Sequence, residues 1–187
     1  MIRIRRLAFL AVLLCAAFAP AAQAQTVIEN EYTPKTEIIA ERAGFVPGET
    51  TWFAVRQELR PGWHVFWINP GDAGLPLDLD WSLPEGFEAG APLHPVPDYI
   101  PVGSLASYAH EGEPVFLVPV TAPAGARAGE TIDFVIEATW QTCEDICVPE
   151  DGRFSFYMQV VQAASADASP SALFAAAREK LPDEGDA

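Results

Sequence analysis

The sequence predicts an all-β domain, an antiparallel sandwich followed by one short C-terminal helix. Three observations predict it. Apolar and polar residues alternate with period two over several separate stretches, Gly/Pro turns divide those stretches, and no helical pattern intervenes between them. The length, 187 residues, is that of one domain with at most a small annex.

Residues 1–24 stand apart from that domain. Arg3, Arg5 and Arg6 precede an apolar run from Leu7 to Ala19 and then the small-residue site Ala22-Gln23-Ala24, which reads as a cleavable secretory signal peptide. A membrane-spanning helix needs roughly 20 apolar residues, more than this run offers, so the mature protein is read as not membrane-spanning. Cys15 follows Leu14, where a lipoprotein signal has a small residue, and leaves with the signal. Cleavage leaves 163 residues and removes three arginines, taking the formal charge from −15 to −18. So acidic a chain argues against nucleic acid as a partner, because phosphate binding needs a basic face. The expected organisation is a β domain over 25–163, then a linker and short helix over 164–187.

The clearest strand is Thr131 to Trp140, where Ile132, Phe134, Ile136, Ala138 and Trp140 alternate with a mostly polar set, the pattern of a half-buried antiparallel strand. Thr36 to Arg42, Thr51 to Arg60, Trp63 to Ile68, Val115 to Thr121 and Arg153 to Gln162 read similarly, and Thr26 to Tyr32 and Leu77 to Leu83 more weakly. Pro47-Gly48, Pro61-Gly62, Pro84-Glu85-Gly86 and the segment Ala124-Gly125 to Gly129 supply turns. Pro119 within a strand predicts an edge or a bulge. Residues 91–114, with Pro92, Pro95, Pro97, Pro101 and Pro114, read as a long proline-stiffened loop. From Ser169, the expected N-cap, Leu173, Phe174, Arg178 and Lys180 mark a helix that stops at Pro182.

The strongest chemical signal is Trp140-Gln141-Thr142-Cys143-Glu144-Asp145-Ile146-Cys147-Val148-Pro149-Glu150, two cysteines where a strand ends. A turn there brings two thiols within bridging distance, and an exported protein favours the disulfide. A domain this large buries roughly 68–70% of its unfolded surface and needs no staple. Closing so short a loop restrains the unfolded chain by only about 2 kcal/mol, against about 4.7 for a 100-residue loop. A redox-active dithiol, a local structural bridge and a metal-binding pair all remain open on spacing alone. The pair is not a thioredoxin site, whose cysteines stand at a helix N-terminus. Glu144, Asp145, Glu150 and Asp151 crowd it instead, and negative neighbours disfavour a thiolate, so the disulfide is expected to be opened by another protein's thiolate.

Three blocks in order, Pro61-Gly62-Trp63-His64-Val65-Phe66-Trp67-Ile68-Asn69-Pro70-Gly71-Asp72-Ala73-Gly74-Leu75-Pro76, Trp81-Ser82-Leu83-Pro84-Glu85-Gly86-Phe87, and Cys143 to Glu150, resemble the periplasmic N-terminal domain of DsbD-type thiol:disulfide interchange proteins, particularly the ScsB-like branch. The resemblance covers about residues 30–180. It implies an immunoglobulin-like sandwich in the periplasm that relays reducing equivalents from a membrane electron transporter, through a thioredoxin-like domain, to oxidised periplasmic thiol proteins. It implies that Cys147 forms mixed disulfides and Cys143 resolves them. It also implies a cap loop over the pair, for which Asp98, Tyr99 and Ile100 are the candidates, with Tyr99 over the sulfurs. Family members continue into membrane and thioredoxin-like domains, so the chain is expected to be either a stand-alone module or part of a longer protein.

No bound cofactor is needed, since a dithiol carries two electrons itself. His64 alternates with apolar neighbours and reads as structural, whereas His94 and His110 flank the proline-rich stretch. Trp52, Trp63, Trp67, Trp81 and Trp140 read as core and inter-sheet packing. No zinc spacing, phosphate-cradling loop or serine nucleophile elbow is present. Two other functions compete: Cu(I) handling by Cys143, Cys147 and one histidine, and a non-catalytic binding module with a static disulfide. Against copper, Val148 interrupts the C-x3-C-P motif of Sco-type proteins, and Met158 is the one methionine left after processing.

Overall fold

The computed structural model describes residues 24–27, 32–102, 105–163 and 171–183. Its strands are β1 (Ala24–Val27), β2 (Lys35–Ala40), β3 (Gly44–Phe45), β4 (Thr50–Glu58), β5 (His64–Gly71), β6 (Asp78–Ser82), β7 (Glu88–Ala89), β8 (Asp98–Val102), β9 (Leu105–Glu111), β10 (Val115–Thr121), β11 (Thr131–Cys143) and β12 (Cys147–Val160), followed by α1 (Ser171–Arg178). The signal peptide falls outside the described residues except for Ala24, which opens β1, and so does the expected N-cap Ser169. Among the described residues no helix is long and apolar enough to cross a membrane.

Two sheets face each other as an immunoglobulin-like sandwich. The larger runs β1-β12-β11-β5-β9-β8, with β3 added against β12 and β6 against β11; the smaller runs β2-β4-β10-β7. Among the described residues the strands pair antiparallel except β3 with β12. The period-two pattern becomes the core directly. Ile132, Phe134, Ile136, Ala138 and Trp140 of β11 and Phe154, Phe156, Met158 and Val160 of β12 meet Ile38, Phe53, Val55, Phe116, Val118 and Val120 from the smaller sheet. Phe134 stacks on Phe156 with ring centroids 5.1 Å apart. Each apolar side chain so buried contributes roughly 1.5–3 kcal/mol.

A third layer lies outside the smaller sheet. Ala54 and Leu117, which alternate with core residues and so point outward, are covered by Phe174 and Ala177 of α1. Arg178 lies over the Trp52 ring at 5.6 Å and donates hydrogen bonds to both carboxylate oxygens of Glu41 at 2.8 and 3.0 Å. The tryptophans therefore divide: Trp140 and Trp81 line the inter-sheet core, Trp52 is under the helix, Trp63 stacks on Tyr32, and Trp67 meets the edge of Tyr108.

Two expectations change. The stretch 91–114 is not a loop throughout, because Asp98–Val102 and Leu105–Glu111 pair as the antiparallel strands β8 and β9. Prolines concealed this, yet β8 is the outermost strand of its sheet, where Pro101 can lack an N–H without breaking the ladder. Pro119 lies in β10 between β4 and β7, and its carbonyl accepts a hydrogen bond from the Gly90 N–H at 2.8 Å. Its missing N–H faces the side where β7 has only two residues and pairing is already sparse, so the ring costs the sheet little.

Candidate disulfide site

The β11–β12 hairpin carries the pair. Its register runs without interruption from Thr131 opposite Gln159 to Cys143 opposite Cys147, and Glu144-Asp145-Ile146 form the tip, closed by the Glu144 N–H donating to the Ile146 carbonyl at 3.1 Å. Cys143 and Cys147 are joined by a disulfide. Their environments differ sharply. Cys143 is 2% exposed, whereas Cys147 is exposed, as is Ile146 at the tip.

The burial of Cys143 has a specific origin. Thr142 continues the core-facing set of β11, so Cys143 turns to the outer face of the larger sheet. There it packs against Phe66 of β5 and Ala109 of β9, with Ile100 of β8 completing the cover. A side chain at Gly74 would strike the Phe66 ring, so the Asn69–Gly74 segment folds back over this cluster only because residue 74 is glycine. Glu144 lies over the turn that enters β5: a Cβ at Gly62, where φ is 85°, would stand 2.9 Å from its Oε1.

The anticipated cap residues occupy one edge strand. Ile100 packs on the Cys143 cluster. Tyr99, its neighbour on the strand, belongs to the opposite face; it is 60% exposed and its ring lies 6.0 Å from that of its register partner Tyr108. Asp98 stands opposite Ala109, itself part of the cluster. Phe66, Ala109 and Ile100 are thus the side chains clustered with Cys143, and strand alternation within 98–111 is the signal that would have singled out Ile100.

The histidines separate into two environments. His94 and His110 lie together on the sandwich side, rings 6.1 Å apart and each edge-on to Phe116. Burial, joined at His94 by the repulsion of the neighbouring His110, pushes both pKa values down to about 4. His64 is buried at the disulfide: it is the register partner of Cys143, edge-on to Phe66 at 5.2 Å. Burial lowers its pKa, partly opposed by Glu111. On the inner face, Glu150 pairs in register with Trp140 and is 6% exposed. Burial raises its pKa, and Thr33, Thr142 and Trp140 partly counter that rise. Among the described residues no group of three or more His, Cys, Asp or Glu is arranged to hold a metal ion.

This geometry has counterparts. The family described as "Thiol:disulfide interchange protein DsbD, N-terminal" matches residues 31–159. Among solved structures the chain is similar to the N-terminal periplasmic domain of ScsB from Proteus mirabilis, with a TM-score of 0.61 and 19% identity, over 86% of this chain and 60% of that one. The chain thus spans about three-fifths of that structure's length. No curated protein matches it.

Proposed function

The chain belongs to the family of DsbD-type N-terminal domains, and from that premise we propose that it is a periplasmic thiol:disulfide oxidoreductase module whose Cys143–Cys147 dithiol passes reducing equivalents from a membrane reductant system to oxidised periplasmic proteins. The observation that carries the reading is the asymmetry of the pair: one cysteine is buried against Phe66, Ala109 and Ile100, and the other is an exposed residue beside the hairpin tip. An exposed sulfur can be reached by a partner thiolate, and a buried one held against it can act only on that sulfur. Cys147 therefore forms the mixed disulfide and Cys143 resolves it. Glu144 and Asp145, in the tip between the two cysteines, disfavour a strongly acidic thiol, so a thioredoxin-like partner supplies the attacking thiolate when the disulfide is opened.

A static staple is the alternative reading. It has less to recommend it, because the two residues are already opposite one another in an unbroken ladder and closing so short a loop adds only about 2 kcal/mol. Trapping separates the two readings. Cys143→Ser, which keeps the open sulfur, should accumulate mixed disulfides with a thioredoxin-like protein on non-reducing gels, and Cys147→Ser should not. Adducts from neither variant would establish the staple; adducts from Cys147→Ser alone would reverse the assigned roles.

A further inference from the structure

Three side chains stand in one row across the larger sheet beside the disulfide. Cys143 on β11 is the register partner of His64 on β5, and His64 is in turn the register partner of Glu111 on β9. Register partners in antiparallel strands share a face, with Cβ atoms about 4.5–5.5 Å apart. A thiol, an imidazole and a carboxylate are therefore consecutive neighbours on the outer face. Phe66, two residues along β5 from His64, confirms that the face is shared, since it meets both the His64 ring and Cys143. The row is graded in exposure: Cys143 and His64 are buried and Glu111 is exposed.

We propose that His64 is the proton-transfer partner of Cys143, with Glu111 steadying its imidazolium form. The inference rests on the interchange reading above and assigns a step within it. When the domain acts as reductant, the Cys147 thiolate attacks a client disulfide; a bond forms between Cys147 and one client sulfur, and the other client sulfur leaves as a thiolate. The Cys143 thiol then gives its proton to His64, and the resulting thiolate attacks the Cys147 sulfur. The Cys143–Cys147 bond forms, the mixed disulfide breaks, and the second client sulfur leaves as a thiolate. The client has gained two electrons and the domain has lost them. In the reverse direction the imidazolium protonates Cys143 as it leaves.

The step needs such a partner. A thiol buried among Phe66, Ala109 and Ile100, with Glu144 following it in the chain, ionises reluctantly, and resolution requires the thiolate. Among the titratable groups facing His64, Cys143 comes from β11 and Glu111 from β9, while Glu144 lies over the turn before β5. Burial keeps the imidazole neutral near pH 7, the form that accepts a proton.

Single-turnover release of thionitrobenzoate tests this. Reduced full chain, in excess over 5,5′-dithiobis(2-nitrobenzoate), should release one thionitrobenzoate as Cys147 attacks and a second as Cys143 resolves. In His64→Gln the second phase should slow by about tenfold or more at pH 7, the first phase should hold its rate, and the gap should close at a pH where the thiol ionises unaided. Glu111→Gln, at an exposed position, should slow the second phase less and serves if the His64 variant folds poorly. A second phase unchanged in both variants at pH 7, or a deficit that persists undiminished at high pH, overturns the assignment and returns His64 to a packing role. If the wild-type chain releases a single thionitrobenzoate and forms no internal disulfide, the interchange reading itself fails, and this one with it.

Discussion

Asp72 and Ala106 clasp each other through two hydrogen bonds: the Asp72 N–H donates to the Ala106 carbonyl at 2.9 Å, and the Asp72 carboxylate accepts the Ala106 N–H at 2.8 Å. Ala106 is the second residue of β9, and β9 pairs with β8, the strand that carries Ile100 onto Cys143. The clasp therefore ties the cover of the buried sulfur to the end of β5. Asp72→Ala removes the side-chain bond and should cost about 1 kcal/mol of stability, read as a lower urea midpoint. It should also speed reduction of the disulfide by a phosphine, because the β8–β9 hairpin opens more readily. An unchanged reduction rate at reduced stability would mean that this hairpin does not gate the sulfurs.

Ile100 and Tyr99 make opposite predictions for the cap. If cover of the sulfur governs access, Ile100→Ala should raise the rate at which a non-partner disulfide oxidises the reduced domain, since it removes the side chain that touches the Cys143 cluster. Tyr99→Ala should change that rate little in the free domain, its ring being paired with Tyr108 on the other face. Stopped-flow oxidation of the two variants decides between them. The reverse ranking would show that Tyr99 swings over the pair.

Most of the sandwich was legible because binary alternation survives folding directly, as the burial of Ile132, Phe134, Ile136, Ala138 and Trp140 shows. That Cys143 and Cys147 could bridge was legible from their spacing, but what the pair does was not. What surrounds Cys143 was not, because it depends on which strand lies beside β11 at which residue. One flank of β11 is shared, by β6 along Val135–Thr139 and by β5 at Thr142 and Cys143, and no local pattern encodes that handover. His64 consequently reads as an ordinary strand histidine until the register sets it opposite Cys143. Prolines hid β8 and β9 for a related reason: a proline is tolerated on an outer strand, and being outermost is a property of the whole sheet.

The helix layer predicts a stability effect remote from the sulfurs. Phe174 is fully buried against Ala54 and Leu117 on the outer face of the smaller sheet. Phe174→Ala should cost about 3–5 kcal/mol if the helix stays docked over the cavity. It should cost less if the helix simply detaches. Arg178→Ala, which loses an exposed ion pair with Glu41 and the contact with Trp52, should cost no more than about 1 kcal/mol. Urea unfolding of both variants gives the ranking, and disulfide reactivity should be unaffected in either.

Stability should fall as the medium turns acidic, and the histidines set the sign. In the folded chain His94 and His110 stay neutral until the pH nears 4, whereas in the unfolded chain they take up protons below about 6.5. Unfolding therefore binds protons between those limits, and stability declines as pH drops through that window, by up to about 2.7 kcal/mol per pH unit where both titrate. His64 is shifted in the same direction and adds to the decline. Glu150 works against it. Burial raises its folded pKa above the unfolded value of 4.5, so its contribution is greatest at low pH and is lost as pH rises through the folded value. Glu150→Gln removes this offset, so the variant should be more stable than wild type at pH 8 and should lose stability more steeply on acidification. Urea midpoints at pH 8, 6.5 and 5 test both statements. A Glu150→Gln midpoint that is flat from pH 7 to 5 would mean that the two buried imidazoles titrate alike in folded and unfolded chains.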